Sequence, residues 1–140
     1  MLHQDFFIDF YNLYRPLIAV INRMLAPYQL FNTQWSVLKR IKLSGPYTAM
    51  ALARIQAVEP PTMTATIKKL IALGFIHARR GEDGREKHLY LTEEGERIFN
   101  EIQPRIDILY AKITADASDE DMRTGVKLLE TLTQALLDEK

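Results

Sequence analysis

The chain has 140 residues, of which 47% are hydrophobic, enough for one domain with a core but too few for two. It contains no cysteine, which excludes a disulfide scaffold, a thiolate metal site and a thiol redox switch. The formal net charge is zero, so binding to a polyanion would depend on where the charges lie. We expect a cytoplasmic protein, because no apolar run approaches the roughly 20 residues of a membrane-spanning helix and the N-terminus lacks a basic signal-peptide start.

Residues 4–26 predict a long first helix with more apolar surface than one chain of this size can cover. Its apolar side chains recur at alternating spacings of three and four, in two rows. The rows are Phe7, Phe10, Tyr14, Leu17, Ile21 and Met24, and Phe6, Leu13 and Val20. Two rows favour packing against a partner helix, although ordinary core explains either row alone equally well. Pro16 lies inside the segment and predicts a kink.

Two shorter helices joined by a tight turn follow. Thr48 can cap the first, through about Ile55, residues 57–59 form the turn, and residues 60–74 form the second, whose two prolines fit its first turn. The side chains predicted to pack are Met50, Leu52, Ala53 and Ile55, and Met63, Ile67, Leu70 and Ile71. The other face of the second helix is small, hydroxylated and basic, which is typical of a helix that reads DNA.

A basic hairpin follows directly. The first strand is predicted from Phe75 to Arg80 and the second from Lys87 to Leu91, where apolar and polar residues alternate with a period of two. Gly81 and the pair Asp83-Gly84 tolerate positive φ and allow the chain to reverse. Helix, turn, helix and basic hairpin together predict a winged helix-turn-helix, with the hairpin as its wing.

Two more helices are predicted over residues 93–139. Their apolar side chains again recur at spacings of three and four, and Pro104 predicts a kink in the first of the two. These side chains are Phe99, Ile102, Ile106, Leu109 and Ile113, and Met122, Val126, Leu129, Leu132 or Thr133, and Leu136. Ser118 is a candidate cap for the last helix, followed by acidic residues that the helix dipole favours.

Six segments match the motifs of one bacterial family in order and spacing. They are 30–38 (LFNTQWSVL), 48–53 (TAMALA), 61–64 (PTMT), 70–75 (LIALGF), 83–85 (DGR) and 89–95 (LYLTEEG). Together they resemble the MarR family of bacterial transcriptional regulators over nearly the whole chain. The chain departs from the family at the turn, where Gln56, Ala57 and Glu59 stand in place of an apolar residue, a glycine and a serine that are common there.

The resemblance implies a mostly α fold with a small β wing (α+β) in one domain, 1–140. Within it, residues 30–91 would form the winged helix-turn-helix, called the reading head below, and residues 4–26 and 93–139 a dimerisation region. The implied function is a sequence-specific DNA-binding transcriptional regulator, in the typical case a ligand-responsive repressor that acts as a homodimer. Two-fold symmetry would place two recognition helices in successive major grooves of a pseudo-palindromic operator in double-stranded DNA.

The charge distribution agrees with a nucleic-acid partner. Between Lys39 and Leu91 there are ten basic and four acidic residues, a net charge of +6 that the remainder of the chain balances. This excess coincides with the predicted helix and wing, which favours a binding surface over random scatter.

The candidate DNA-binding residues belong to the second short helix and the wing. Threonine hydroxyls can contact phosphates or base edges, an alanine can meet a thymine methyl, and the basic side chains can bind phosphates. The residues are Thr62, Thr64, Ala65, Thr66, Lys68, Lys69, Arg79, Arg80, Asp83, Arg85 and Lys87. Arg85 is predicted to enter a narrow minor groove, and Asp83 to steady it or the turn. Ordinary capping and solvent exposure is the alternative for the threonines.

A small aromatic or phenolic effector is implied only by the family. Tyr11, Tyr14, Arg15, Trp35 and Tyr110 could line an apolar pocket with a few polar groups, although each such residue is more often core or interface. No cofactor or metal is expected, since His3, His77 and His88 are widely spaced. No catalytic motif indicates an enzyme.

A protein-interaction module is the alternative function. Glu59, Glu82 and Glu86 lie in the reading head, where their charge would weaken phosphate binding. A winged helix that no longer reads DNA would have this character.

Overall fold

A computed structural model describes residues 1–82 and 84–139. Within these ranges the chain forms α-helices joined by short connections and one two-stranded antiparallel sheet. The elements are α1 (Leu2–Leu25), a 3-10 turn (Ala26–Tyr28), α2 (Asn32–Ser44), α3 (Ala49–Gln56), α4 (Pro60–Ala72), β1 (Ile76–Arg80), β2 (Lys87–Leu91), α5 (Glu93–Ile113) and α6 (Asp119–Leu137). The predicted fold class is confirmed. Over the described residues, no helix is both long and apolar enough to cross a membrane.

The chain divides into two compact units, Met1–Pro104 and Arg105–Lys140. The first unit contains α1 to β2 and the start of α5. Its core is made of apolar side chains from the four helices α1 to α4, both strands and the start of α5, and in the described part of the chain no polar or charged residue is buried. The most deeply buried side chains include Leu25, Leu30, Leu38, Leu52, Met63, Leu70 and Ile76. Because α2, α3, α4 and the hairpin share this core, their packing fixes α4 relative to the hairpin.

α3 begins and ends at local signals that the sequence carries. The Thr48 hydroxyl accepts the backbone N–H of Ala51 at 3.1 Å, as predicted. The helix ends at Ala57, whose φ of 54° and ψ of 46° lie in the left-handed region. The N–H of Val58 then bonds the carbonyl of Ala53 at 2.9 Å. An alanine in this conformation costs on the order of 1 kcal/mol more than a glycine would, so the turn is strained.

The predicted packing faces of α3 and α4 are partly wrong. Met50 is 63% exposed, Ile55 45% and Ile71 44%. The buried stripe of α3 is centred on Leu52 and Ala53, and at 3.6 residues per turn Met50 and Ile55 each lie about 110° round the helix from it. Ile71 lies in the last turn of α4, at the edge of its buried face. The helical period of the apolar residues predicts the centre of each buried face but not its width.

The hairpin is shorter at its start than predicted. α4 ends at Ala72, not at 74, and Gly74 follows with a left-handed φ of +82°. β1 begins at Ile76 rather than Phe75. The Phe75 carbonyl still accepts the N–H of Thr92 at 3.0 Å, one step beyond the first pair of the two strands. β2 has the predicted bounds, and the register runs from Ile76 opposite Leu91 to Arg80 opposite Lys87.

The second unit comprises the remainder of α5 and α6. The Ser118 hydroxyl accepts the N–H of Asp121 at 3.0 Å, so the predicted cap of α6 is confirmed. No described residue of α6 is buried. Its apolar row is correspondingly open, with Val126 and Leu129 each 50% exposed. Pro104 lies inside α5 and Pro16 inside α1, as predicted.

Candidate nucleic-acid interface

The outward face of α4 carries small and hydroxylated side chains. Thr62, Thr64 and Ala65 are exposed, and Thr66 is half-buried. The Thr66 hydroxyl donates to the Thr62 carbonyl at 3.1 Å, which leaves its oxygen able to accept a further hydrogen bond. Small side chains of this kind let a helix approach base edges in a major groove.

The two lysines of α4 lie in different surroundings. Lys68 is exposed and Lys69 half-buried. The Lys69 ammonium lies 5.1 Å from the centroid of the Phe31 ring, which is itself 59% exposed. This cation–π contact holds Lys69 at the start of α2, whereas Lys68 extends from the exposed face of α4. The helix therefore offers one solvated cation and one positioned cation.

The tip of the wing is closed by backbone hydrogen bonds. The N–H of Gly81 donates to the Glu86 carbonyl at 2.7 Å, and the N–H of Gly84, whose φ is +71°, donates to the Gly81 carbonyl at 2.9 Å. The Arg80 guanidinium donates to the Gly84 carbonyl at 3.2 Å. Arg85 is exposed at this tip. Asp83, predicted to steady Arg85 or the turn, lies outside the described residues.

One face of the wing is a small aromatic and cationic cluster. His77 lies opposite Tyr90 in the register, and their rings stack with centroids 5.7 Å apart and planes 20° apart. The Arg79 guanidinium lies over the Tyr90 ring at 5.0 Å from its centroid. A cation over an aromatic face is held by the ring quadrupole, so Tyr90 positions Arg79 on the exposed wing.

The base of the wing is fastened to the rest of the reading head at two points. The N–H of Leu89 donates to the Tyr47 carbonyl at 2.8 Å, one residue before the cap of α3. The Thr92 hydroxyl donates to the Gly74 carbonyl at 2.5 Å, just after α4. The wing is therefore tied to both helices of the helix-turn-helix.

Apart from Arg85, which is not considered in this comparison, the candidate DNA-binding cations form no ion pair with a carboxylate of the described residues. The ion pairs seen there join Lys42 to Glu96 at 2.5 Å, and Arg97 to Glu94 and Glu101 at 2.6 and 2.9 Å. None of these pairs includes Lys68, Lys69, Arg79, Arg80 or Lys87. A phosphate could approach these five side chains without displacing a protein carboxylate, which is the electrostatic condition for tight backbone binding.

Arg97, the ion-paired arginine of α5, changes the pKa of the nearby Glu94. The hydrogen bond from the Arg97 guanidinium holds the pKa of the Glu94 carboxyl below its usual value, and the same contact raises the pKa of Arg97. Arg97 thus carries its charge next to two carboxylates. It differs in this respect from Lys68, Lys69, Arg79, Arg80 and Lys87, which form no ion pair with a described carboxylate.

The predicted effector residues lie in unlike environments. On α1, Arg15 lies over the exposed Tyr11 ring at 5.6 Å from its centroid, and Tyr14 stacks on Phe10. Trp35 is only 4% exposed and belongs to the core of the first unit. Tyr110, 38% exposed, belongs to the second unit. The effector pocket therefore stays a prediction.

A separate cavity lies in the first unit. It has a volume of about 160 Å³ and opens between the end of α2, β2 and the start of α5. Lys42 and Glu96 are among the residues that line it, and no predicted effector residue is. In the described ranges, no group of His, Cys, Asp or Glu side chains could hold a metal ion.

Sequence reasoning assigned no binding role to Tyr90. The alternation of β2 indicated a half-buried strand but not what each side chain faces. The signal lies in the pairing register, because His77 and Arg79 share a face with Tyr90 only when the turn has this length. The register that the turn glycines set places Tyr90 opposite His77 and on the same face as Arg79.

Comparison with known protein families gives one match to a family model, that of the MarR family, over residues 30–87. Among curated proteins, the chain is 40% identical over 113 residues to an uncharacterized HTH-type transcriptional regulator, YwoH of Bacillus subtilis, with 81% of this chain and 82% of that protein covered. It is 28% identical to SAV2265 of Staphylococcus aureus, also named as an HTH-type transcriptional regulator, with 99% and 97% covered.

Solved structures agree over the whole chain. A Staphylococcus aureus MarR in complex with salicylate and kanamycin has a TM-score of 0.89 at 28% identity and covers 100% of this chain and 95% of its own. A MarR transcriptional regulator from Methanosarcina mazei has a TM-score of 0.88 at 19% identity and covers 100% of both chains. The second likeness concerns the fold alone.

Proposed function

The chain belongs to the MarR family of winged helix-turn-helix regulators, and from this premise we propose that it binds a pseudo-palindromic DNA operator as a homodimer and represses transcription until a small aromatic effector binds. The observation that carries the proposal is the coincidence, on one reading head, of an open threonine face on α4 with three wing cations, Arg79, Arg80 and Lys87, that form no ion pair with a described carboxylate. Neither feature is needed for the core of the fold.

The residues have different tasks in this proposal. Thr62, Thr64, Ala65 and Thr66 face base edges and the adjacent phosphates in the major groove. The cations that bind phosphates are Lys68, Lys69, Arg79, Arg80 and Lys87. Arg85 enters the minor groove from the wing tip, where a narrow groove attracts a guanidinium.

The homodimer is supported by apolar surface that a single chain leaves open. On α1, Phe7 is 49% and Leu13 58% exposed. On α6, Met122 is 42% and Leu129 50% exposed. Large apolar side chains recurring along a helix at this exposure are typical of a protein interface, and a second copy of the chain is the partner that the family suggests. Two-fold symmetry then sets half-sites about one helical turn of DNA apart.

The proposed effector is supported by a related structure and by one surface of α1. The Staphylococcus aureus MarR named above was solved with salicylate, an aromatic carboxylate. On this chain, Arg15 and the exposed rings of Tyr11 and Tyr14 offer a cation beside aromatic faces, a surface suited to such an anion. A ligand that binds better to the DNA-free form would release the operator.

One experiment tests the proposal. The purified protein selects fragments from a pool of random duplex DNA, and the enriched sequence is then titrated by fluorescence anisotropy at several salt concentrations. We expect a pseudo-palindrome whose affinity falls by roughly 10³ or more between about 50 and 200 mM salt, as for a protein with six or more phosphate contacts. A folded dimer that enriches no sequence would instead favour the protein-interaction module.

Repression and effector response need a second readout on the same DNA. We expect the protein to block transcription in vitro from a promoter that contains the selected site. Salicylate serves as the probe for release of the site, with its non-aromatic analogue acetate as control. Stimulated transcription, or equal release by both acids, would contradict this part of the proposal.

A further inference from the structure

A polar bridge joins α2 to the last residue of α3. The Gln56 side-chain carbonyl accepts a hydrogen bond from the Arg40 guanidinium at 3.2 Å, and its amide donates to the Ser36 hydroxyl at 3.3 Å. The Ser36 hydroxyl in turn donates to the Thr33 carbonyl at 3.0 Å. The Gln56 side chain therefore links the end of α3 to Arg40 and Ser36 of α2 by hydrogen bonds.

Arg40 is held by a neutral partner and keeps its charge uncompensated. It is exposed, and it forms no ion pair with any described residue. Lys42 and Arg97 contrast with it, because Lys42 is paired with Glu96 and Arg97 with both Glu94 and Glu101. A guanidinium has five N–H donors, so one bond to Gln56 leaves donors for a further acceptor. Fixing one edge of the group also lowers the entropy lost when an anion binds.

The hydrogen bond to Gln56 places the Arg40 guanidinium beside the turn between α3 and α4. Gln56 ends α3, and α4 begins at Pro60, at most about 14 Å along an extended chain. α2, which carries Arg40, packs directly against α4. The major groove is about 12 Å wide, so a helix that enters it has phosphates of the flanking strand within reach of a long side chain near its N-terminus.

We propose that Arg40 is a further phosphate-binding residue of the reading head and that Gln56 is its positioning residue. The proposal rests on the DNA-binding function proposed above. It adds to the surface a contact from α2, outside the recognition helix and the wing. Gln56 acts only through Arg40, by holding the guanidinium next to the turn.

The test is the salt dependence of DNA binding by Arg40→Ala. Loss of one phosphate contact in each chain of a dimer should make the slope of log affinity against log salt shallower by about 1.8, because each contact contributes about −0.9. Counterion release alone then predicts an affinity about 30-fold lower at about 0.15 M salt. Arg97→Ala is the matched control: it removes the same charge from an exposed but ion-paired arginine, and we expect the wild-type slope.

The role of Gln56 is tested by Gln56→Leu, which removes the side-chain hydrogen-bonding groups at a similar size. We expect an affinity roughly 3- to 10-fold lower, because an Arg40 side chain that Gln56 no longer holds loses more entropy when it binds a phosphate, with most of the slope retained. The double variant with Arg40→Ala should bind no more weakly than Arg40→Ala alone, since the two residues act as one unit. Additive effects would overturn the positioning role.

Two results would overturn the phosphate contact. One is a wild-type slope and affinity for Arg40→Ala. The other is weaker binding at an unchanged slope, which a purely structural role of Arg40 would give. Arg40→Gln, which keeps a donor for Gln56 without the charge, guards against misfolding and should show the same loss of slope.

Failure of the underlying function looks different. If the wild-type protein binds no selected DNA, the proposed function falls and this inference falls with it. If the wild type and Arg97→Ala bind with equal, steep salt slopes while Arg40→Ala matches them, only the inference fails.

Discussion

The α-carbon of Gly95 lies directly against the backbone carbonyl of Phe75, so closely that a β-carbon at position 95 would overlap the oxygen. This contact joins the first turn of α5 to the residue before β1, and it gives the glycine at the end of the segment 89–95 (LYLTEEG) a physical reason. The position needs a residue without a side chain, and no neighbouring side chain can move aside, because the obstacle is backbone.

Gly95→Ala should therefore lower the free energy of unfolding by about 1–3 kcal/mol, the usual cost of forcing extra atoms into a packed site. Urea unfolding measures the change. Gly125→Ala is the control, since a β-carbon there meets nothing within 4 Å and alanine favours a helix by up to about 1 kcal/mol. Equal stability of the two variants would refute the close contact.

Thr92→Val should also destabilise the first unit. The Thr92 hydroxyl donates to the Gly74 carbonyl at 2.5 Å and accepts the Gly95 N–H at 3.0 Å, so it caps α5 and anchors the wing at once. Loss of a cap costs about 0.5–2 kcal/mol. Thermal unfolding should show the loss for valine and a wild-type curve for Thr92→Ser; if serine is as harmful as valine, the hydroxyl is not the cause.

Arg85→Ala should weaken DNA binding without unfolding the protein, because this exposed side chain is proposed to enter the minor groove. The sharpest measurement compares operators flanked by A-tracts, whose minor groove is narrow, with operators flanked by G·C pairs. We expect the wild type to prefer the A-tract version and the variant to lose most of that preference. If the variant keeps the preference for A-tract operators, Arg85 does not enter the minor groove.

Tyr90→Leu should reduce DNA affinity by about 2- to 5-fold, since it removes a cation–π contact worth about 0.5–1 kcal/mol at an exposed site that holds Arg79. Tyr90→Phe keeps the ring face and should bind like the wild type. In a background of Arg79→Ala, Tyr90→Leu should have little further effect. An unchanged effect of the leucine in that background would show that Tyr90 acts by some route other than Arg79.

Leu129→Glu should convert a dimer into monomers while leaving each chain folded, because Leu129 is 50% exposed within one chain and a charge there opposes burial in an interface. Light scattering gives the mass and circular dichroism the helix content. Lys127→Glu, about 200° round the helix from Leu129, is the control and should leave the mass unchanged. A dimer that tolerates the glutamate would place the interface elsewhere.

Local signals in the sequence were sufficient for most of the fold. Caps at Thr48 and Ser118, the position of Pro16 within a helix and the bounds of β2 all depend on residues close in sequence, and each was predicted correctly. The exposure of Ile71 was not, because the helical period does not give the width of the buried face of α4. The start of β1 was predicted one residue too early, since the pattern within a strand does not show where its pairing with β2 begins.

The candidate site shows the same division. Residue type and helical period suffice to nominate Thr62 or Arg79 as DNA-binding residues, and these assignments stay predictions. Contacts between elements are another matter: neither the bridge from Arg40 to Gln56 nor the stacking of Arg79 on Tyr90 follows from local pattern. Both require the packing of α2 on α3 or the register of the hairpin, which are properties of the folded chain.

Ala57 has an evolutionary consequence. It occupies a left-handed conformation that glycine adopts without strain, and it is not among the residues proposed to contact DNA. Exchange between alanine and glycine at this one position would change the stiffness of the joint between α3 and α4 while leaving every nominated contact residue in place. Selection could thus adjust how firmly the reading head holds its shape independently of which DNA sequence it recognises.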